Sequence, residues 1–227
     1  MTTSTPIGSD RPLVDVRDMV VVHTAMLREF RLAPAAVRRT PPDRKRVEVV
    51  AAHLRFLCDL LHHHHQGEDE LLWPKLRDRT QPSARQTIEE VEAQHETIDA
   101  TLDQVEQLRL AWIEDPGTGT REELTDALDR LHTVLREHLD LEERALLPLA
   151  AMVLTAEEWH AVGEAGAASI PRSAMPLVFG MFAYEGDPAV LATMLAGAPL
   201  PVRVLIPRIA PRVYARRAKL IHGTTRP

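Results

Sequence analysis

His64 and Glu68 stand four residues apart, and so do His138 and Glu142. That interval puts both members of a pair on one side of a helix, about one turn apart, where an imidazole and a carboxylate can approach a common centre. Single histidines, His23 and His95, fall in two further runs of helical pattern. Together the six residues offer four imidazoles and two carboxylates, enough donors for two metal ions. Imidazole combined with carboxylate suits iron, manganese or zinc rather than an ion that prefers thiolate, and two bridging carboxylates can hold two ions side by side. The expected metal ligands are His23, His64, Glu68, His95, His138 and Glu142, two histidines per ion with Glu68 and Glu142 bridging. Which histidines share an ion stays open at this level.

Four long amphipathic runs must position these groups. The first, about residues 12–32, carries the stripe Leu13, Val16, Val20, His23, Leu27, Phe30; the second, about 43–77, carries Val50, Leu54, Leu57, Leu61, His64, Glu68, Leu71. The third, about 83–113, reads Ile88, Val91, His95, Ile98, Leu102, Val105; the fourth, about 121–151, reads Leu124, Leu128, Leu131, Leu135, His138, Glu142, Ala145, Leu149. Steps of three and four keep one stripe of a helix facing its neighbours. The spacing therefore predicts an all-α, up-down-up-down four-helix bundle over residues 12–151, with short links punctuated by Pro34, Pro41, Pro42, Pro82 and Pro116. An unpaired carboxylate in such a seam costs several kcal/mol or is forced to keep its proton, so Glu68 and Glu142 need a partner.

The second and fourth runs are copies of each other. A shift of 74 residues lays Val50 on Leu124, Leu54 on Leu128, Leu57 on Leu131 and Leu61 on Leu135, then His64 on His138, Glu68 on Glu142, Leu72 on Leu146 and Pro74 on Pro148. Amphipathicity alone accounts for the leucines; it does not account for two polar residues repeated in register.

The run His62 to His65 poses a question of register. His64 continues the stripe and mates with His138, while His65 stands four before Asp69 and serves instead if the helix is rotated. His62 and His63 read as surface or locally hydrogen-bonded groups, and His53 and His132 as structural. Gly67, between two expected ligands, is either room for a close neighbouring helix or a small channel, or a tolerated weak position. Glu70 and Glu143 flank the ligands as carboxylates that can support an imidazole, a role secondary to surface solvation. The prolines at 74 and 148 loosen the turns before them and close one end of the bundle.

His23, HQGE at 64–67 extended to Glu68, His95, and HLDLE at 138–142, with LLWP at 71–74 and ALLP at 145–148, resemble the hemerythrin family in its histidine/histidine/glutamate cation-binding branch. The resemblance spans roughly residues 12–151. It implies two non-haem iron ions with a bridging oxo or hydroxo species, manganese or zinc being served by the same donor atoms, and a protein that binds or reacts with dioxygen, peroxide or nitric oxide. Oxidative-stress defence is one such role; a non-enzymatic sensor of iron, oxygen or redox state, signalling through its C-terminal extension, is the alternative. The chain departs from the oxygen carriers of the family in having His95 followed by Asp99 where they have two histidines four apart, and His138 and Glu142 four apart where they have histidine and aspartate five apart. The missing fifth imidazole weighs against oxygen storage. If Asp99 does not coordinate, both ions keep an exchangeable position, which favours redox turnover.

Composition is consistent with this reading. Of the 227 residues 27 are basic and 33 acidic, a net charge of -6, and nucleic acid is not an expected partner. All acids precede residue 188, whereas the last forty residues hold seven bases. Residues 152–227 therefore read as a helical, basic C-terminal extension that docks on the acidic bundle, forms a homodimer contact or makes a peripheral contact with another surface. Thr155 to Glu158 reads as a capping box, a second short helix begins near Ala174, and Asp187 with Pro188 starts a third. The single cysteine, Cys58, has no disulfide partner in the chain. The first residues lack a basic-then-apolar leader pattern, and no apolar run reaches the ~18 residues of a bilayer span, so a cytoplasmic protein without a transmembrane segment is expected.

Overall fold

A computed structural model describes residues 12–227; the N-terminal residues on which the leader reading mainly rests lie outside that range. The described chain is all-helical, with α1 (Arg17–Arg39), α2 (Arg44–Leu71), α3 (Trp73–Arg79), α4 (Pro82–Glu114), α5 (Thr118–Leu141), a π-helical turn (Glu142–Leu146), α6 (Leu147–Val153), α7 (Ala156–Ser169), α8 (Met175–Phe182), α9 (Pro188–Met194) and α10 (Leu200–His222). No helix among the described residues is long and apolar enough to cross a membrane.

Helices α1, α2, α4 and α5 form the expected bundle, each packed on its two neighbours around the ring. Local signals set their ends. The Asp43 carboxylate accepts a hydrogen bond from Arg46 N at 2.9 Å and caps α2, and Pro82 opens α4, where the missing N–H has no helical partner to lose. Pro34 corrects the expected punctuation, for it sits inside α1. One backbone bond is forfeited there, and Ala33, Ala36 and Val37 remain buried on the core, which holds the helix together past it.

The second and fourth expected helices are each interrupted at the repeated proline. α2 breaks at Leu72 before Pro74, and α5 widens into the π turn before Pro148, where Leu147 N donates to Glu142 O, five residues back. Proline, lacking an N–H and crowding the preceding turn, is the common cause.

Two apolar clusters fill the bundle. One runs through Phe30, Leu54, Leu57, Leu61, Ile98, Leu128 and Leu135; the other, at the proline end, gathers Leu72, Trp73, Leu76, Ile88, Val91, Leu146 and Leu147. Between them lies a polar layer.

After the bundle, α7 starts on the capping box read from sequence, Thr155 and Glu158 bonding each other's backbone N–H, and runs beyond Gly163 to Ser169. The Asp187 carboxylate accepts from Ala189 N and caps α9. Helices α8 and α10 cross closely because Gly180 has no side chain, since a Cβ there would lie 2.3 Å from Ala210 O. The basic segment is thus the helix α10, which contacts α8, α1 and α2, and Arg46 donates to Leu220 O across the α2 junction. Its N-terminal half leaves Leu200, Val204, Leu205 and Ile209 exposed.

Candidate metal centre

The polar layer contains all six expected residues. His23 enters from α1, His64 and Glu68 from α2, His95 from α4, His138 from the end of α5 and Glu142 from the start of the π turn. All but His64 are fully buried, and only 11% of the His64 side chain is exposed. His23 Nε2 lies 3.1 Å from His64 Nε2, and His95 Nε2 lies 3.2 Å from His138 Nε2. Such nitrogen pairs aimed at one another match adjacent ligands of a six-coordinate ion, whose edge is about 3 Å for metal–nitrogen bonds of ~2.1 Å. Glu68 spans the two pairs, with Oε1 3.2 Å from His64 Nε2 and 3.9 Å from His23 Nε2, and Oε2 3.6 Å from His95 Nε2. Glu142 Oε2 likewise lies 3.6 Å from His23 Nε2 and 3.7 Å from His138 Nε2.

A seventh residue joins them. His65 is buried, its ring stacked on that of His95 at 4.1 Å between centroids and edge-on to His138 at 5.0 Å. Its ligand nitrogen clusters with those of His95, His138 and Glu68, while His23, His64 and Glu68 form a second cluster. Consecutive residues on a helix diverge by about 100°, so His64 and His65 turn to opposite sides of Glu68. The stripe had offered them as alternatives; both enter, and α2 supplies the fifth imidazole that α4 lacks.

Asp99 is turned outward, near exposed His62 at 3.4 Å, and His63 Nδ1 donates to Asp59 O. Glu70 pairs with Gln66 at the surface. Support for the imidazoles comes from other groups: His23 Nδ1 donates to Glu143 Oε1 at 3.0 Å, His95 Nδ1 to Asp69 Oδ1 at 2.8 Å and His138 Nδ1 to Gln94 Oε1 at 3.2 Å. Each of these bonds puts the ring proton on Nδ1 and leaves Nε2 free to coordinate. Asp69 and Glu143 occupy equivalent places in the 74-residue repeat, so extending that alignment by one residue could have found them.

The protein atoms alone leave the layer badly satisfied. Both oxygens of Glu68, both of Glu142 and both nitrogens of His65 are buried without hydrogen-bond partners. Burial pushes the Glu68 carboxyl well above its usual range, reinforced by the charge of Glu142, and burial also raises Glu142. Burial and the neighbouring imidazoles hold His64 and His65 well below normal and His138 down to about 2. For His23 burial acts downward too, but Glu142, Glu143 and Glu68 outweigh it and lift the imidazole to about 10. Cations in the layer would reverse the carboxylate shifts and satisfy the orphaned atoms at once. The donor set therefore fits metal.

A surface groove of about 720 Å³ reaches the layer from one side, lined by His23, Leu27, Arg28, Arg136, Leu139 and Glu143 among others. Of the histidines in the layer, only His23 lines it.

Residues 14–150 match the family described as the hemerythrin HHE cation binding domain. No curated protein and no solved structure gives a significant match to the chain.

Proposed function

The chain belongs to the hemerythrin HHE cation-binding family, and from that premise we propose that its polar layer holds two iron ions that react with a small oxidant such as dioxygen, peroxide or nitric oxide. His23 and His64 would hold one ion, His65, His95 and His138 the other, and Glu68 and Glu142, which lie between the two groups, would serve both. The observation that carries this reading is the set of four buried carboxylate oxygens without protein partners, faced by imidazole nitrogens from all four bundle helices. Iron held there supplies electron exchange with the oxidant.

The remaining parts follow from the protein. The His23/His64 side has one imidazole fewer than the other, and the groove reaches the layer at His23, so an oxidant would approach there. Glu143, itself in the groove wall, accepts a hydrogen bond from His23 Nδ1 and so fixes the ring. Trp73, Leu72 and Leu146 close the layer from the proline end and exclude water.

The test is iron content and optical spectrum of the purified chain, followed by peroxide consumption. Two irons per chain with the near-ultraviolet bands of an oxygen-bridged pair, and repeated turnover, support the proposal; no stoichiometric iron overturns it. A sensor is the second reading, favoured by Arg28 in the groove wall, which donates to Glu185 at 2.9 Å and to Met181 O and so joins the approach to His23 to the C-terminal helices. A single stoichiometric oxidation without turnover, accompanied by altered protease sensitivity of residues 175–222, would favour the sensor.

A further inference from the structure

Where α1, α2 and α10 meet lies a second group of buried polar residues, apart from the iron layer. Glu29, His53 and His222 are 1%, 2% and 8% exposed. One oxygen of Glu29 is fully used: Oε1 accepts from Arg28 Nε and Nη2, both at 3.1 Å, and from the Tyr214 hydroxyl at 2.6 Å. The other oxygen is not. Oε2 has no hydrogen bond and lies 3.7 Å from His53 Nε2 and 3.8 Å from His222 Nε2. Both nitrogens of His53 and Nδ1 of His222 are buried without a partner as well.

Those separations are too long for hydrogen bonds. They lie slightly above the edge of about 3.3 to 3.6 Å between ligands on a tetrahedral or trigonal ion with bonds of 2.0–2.1 Å. The ligand atoms of the three residues all lie within 4.8 Å of one another. Two imidazoles and a carboxylate, with no thiolate, make a donor set that zinc takes readily. The protonation states agree: burial lowers His53, favouring the neutral ring, and although burial opposes it, Glu29 is held ionised by His222, His53, Tyr214 and Arg28. Arg28 and Tyr214, both on Oε1, lock the carboxylate so that Oε2 faces the two rings.

We propose that Glu29, His53 and His222 form a mononuclear zinc site, separate from the iron layer, that pins the end of the C-terminal helix to the bundle. His222 is the last residue of α10, directly before Gly223, which turns the chain off the helix at φ 79°. The ion therefore ties residues 29, 53 and 222, which are distant along the chain, through one centre. A fourth position stays open for water or a small anion. The zinc charge together with Arg28 exceeds that of Glu29 and Glu185, and the surplus positive charge favours the anion.

The experiment strips the full chain of metal, reloads it with zinc and counts ions by mass spectrometry under native conditions. His222→Gln is expected to hold one zinc fewer than the unaltered chain, and Glu142→Ala, which disables the iron layer, is expected to retain one zinc. Equal zinc in His222→Gln and the unaltered chain overturns the site, as does a folded Glu142→Ala chain that holds none. If His222→Gln does not fold, zinc-edge X-ray absorption of the Glu142→Ala chain decides the matter: two imidazoles with oxygen donors support the site, and any other sphere overturns it. Failure of the iron proposal alone leaves a different signature, one zinc in both the unaltered and the Glu142→Ala chains and none in His222→Gln.

Discussion

The two copies of the internal repeat, α2 with its sequel α3 and α5 with its π turn, keep some parts of the centre equal and make others unequal. Glu68 and Glu142 reach both sides of the layer, and Asp69 and Glu143, each one residue further on, receive the Nδ1 proton of a histidine on a different helix. Among the residues that enter the layer the copies part at one position: His65 in α2 corresponds to Leu139 in α5, which is buried beside the groove. That single difference gives one side of the layer three imidazoles and the other two. A duplicated sequence here builds an unsymmetrical donor set, with the side poorer in imidazole nearest the groove.

The largest effect is expected where the copies agree. Glu68→Ala or Glu142→Ala removes a buried carboxylate from the layer and strands the other, so the iron content of the layer falls from two ions toward none, with a lowered melting temperature. Retention of both ions in either variant would break the equivalence. Next comes the unequal position. His65→Leu, which gives α2 the residue that α5 has at this position, leaves two imidazoles on each side, and iron titration of the layer should give two ions of similar affinity where the unaltered chain gives one tighter than the other. Leu139→His is expected to supply the two-imidazole side with a third ring and slow oxidant consumption while metal content is kept.

Smaller consequences follow for the supporting carboxylates. Asp69→Asn and Glu143→Gln each weaken metal affinity by roughly 10–100-fold, to a similar extent if the repeat is functionally even, as competition with a chelator will measure. Smallest is Gly67→Ala. A Cβ at Gly67 meets nothing within 4 Å, which removes the close-neighbour reading. The substitution should stabilise the chain by about 0.5–1 kcal/mol, or roughly 2 °C in melting temperature, without changing metal content.

The bundle was legible because its signal is periodic. Stripes of leucine and valine at steps of three and four have few other solutions, and the repeat drew attention to Glu68 and Glu142 as polar intruders in register. His65 was harder to read because a one-residue step leaves a stripe: two adjacent ligands are possible only when the metals lie on either side of the helix, which requires knowing where α1 and α4 sit. Asp69 and Gln94 look like surface residues until the rings they support are placed. Glu29, His53 and His222 were invisible for a different reason, since their proximity depends on how α10 docks and no periodicity spans that distance along the chain. Pro34 misled because a proline's cost to a helix can be outweighed by burial of its neighbours.

The π turn at 142–146 carries one more residue than an α-helical turn needs. It acts as a phase shifter: Glu142 is presented to the layer on one azimuth, and Leu146, Leu147 and Ala150 are delivered to the closing cluster on another that unbroken winding would miss by about 100°. Deleting a single residue there would leave a more regular helix and forfeit either the ligand or the plug.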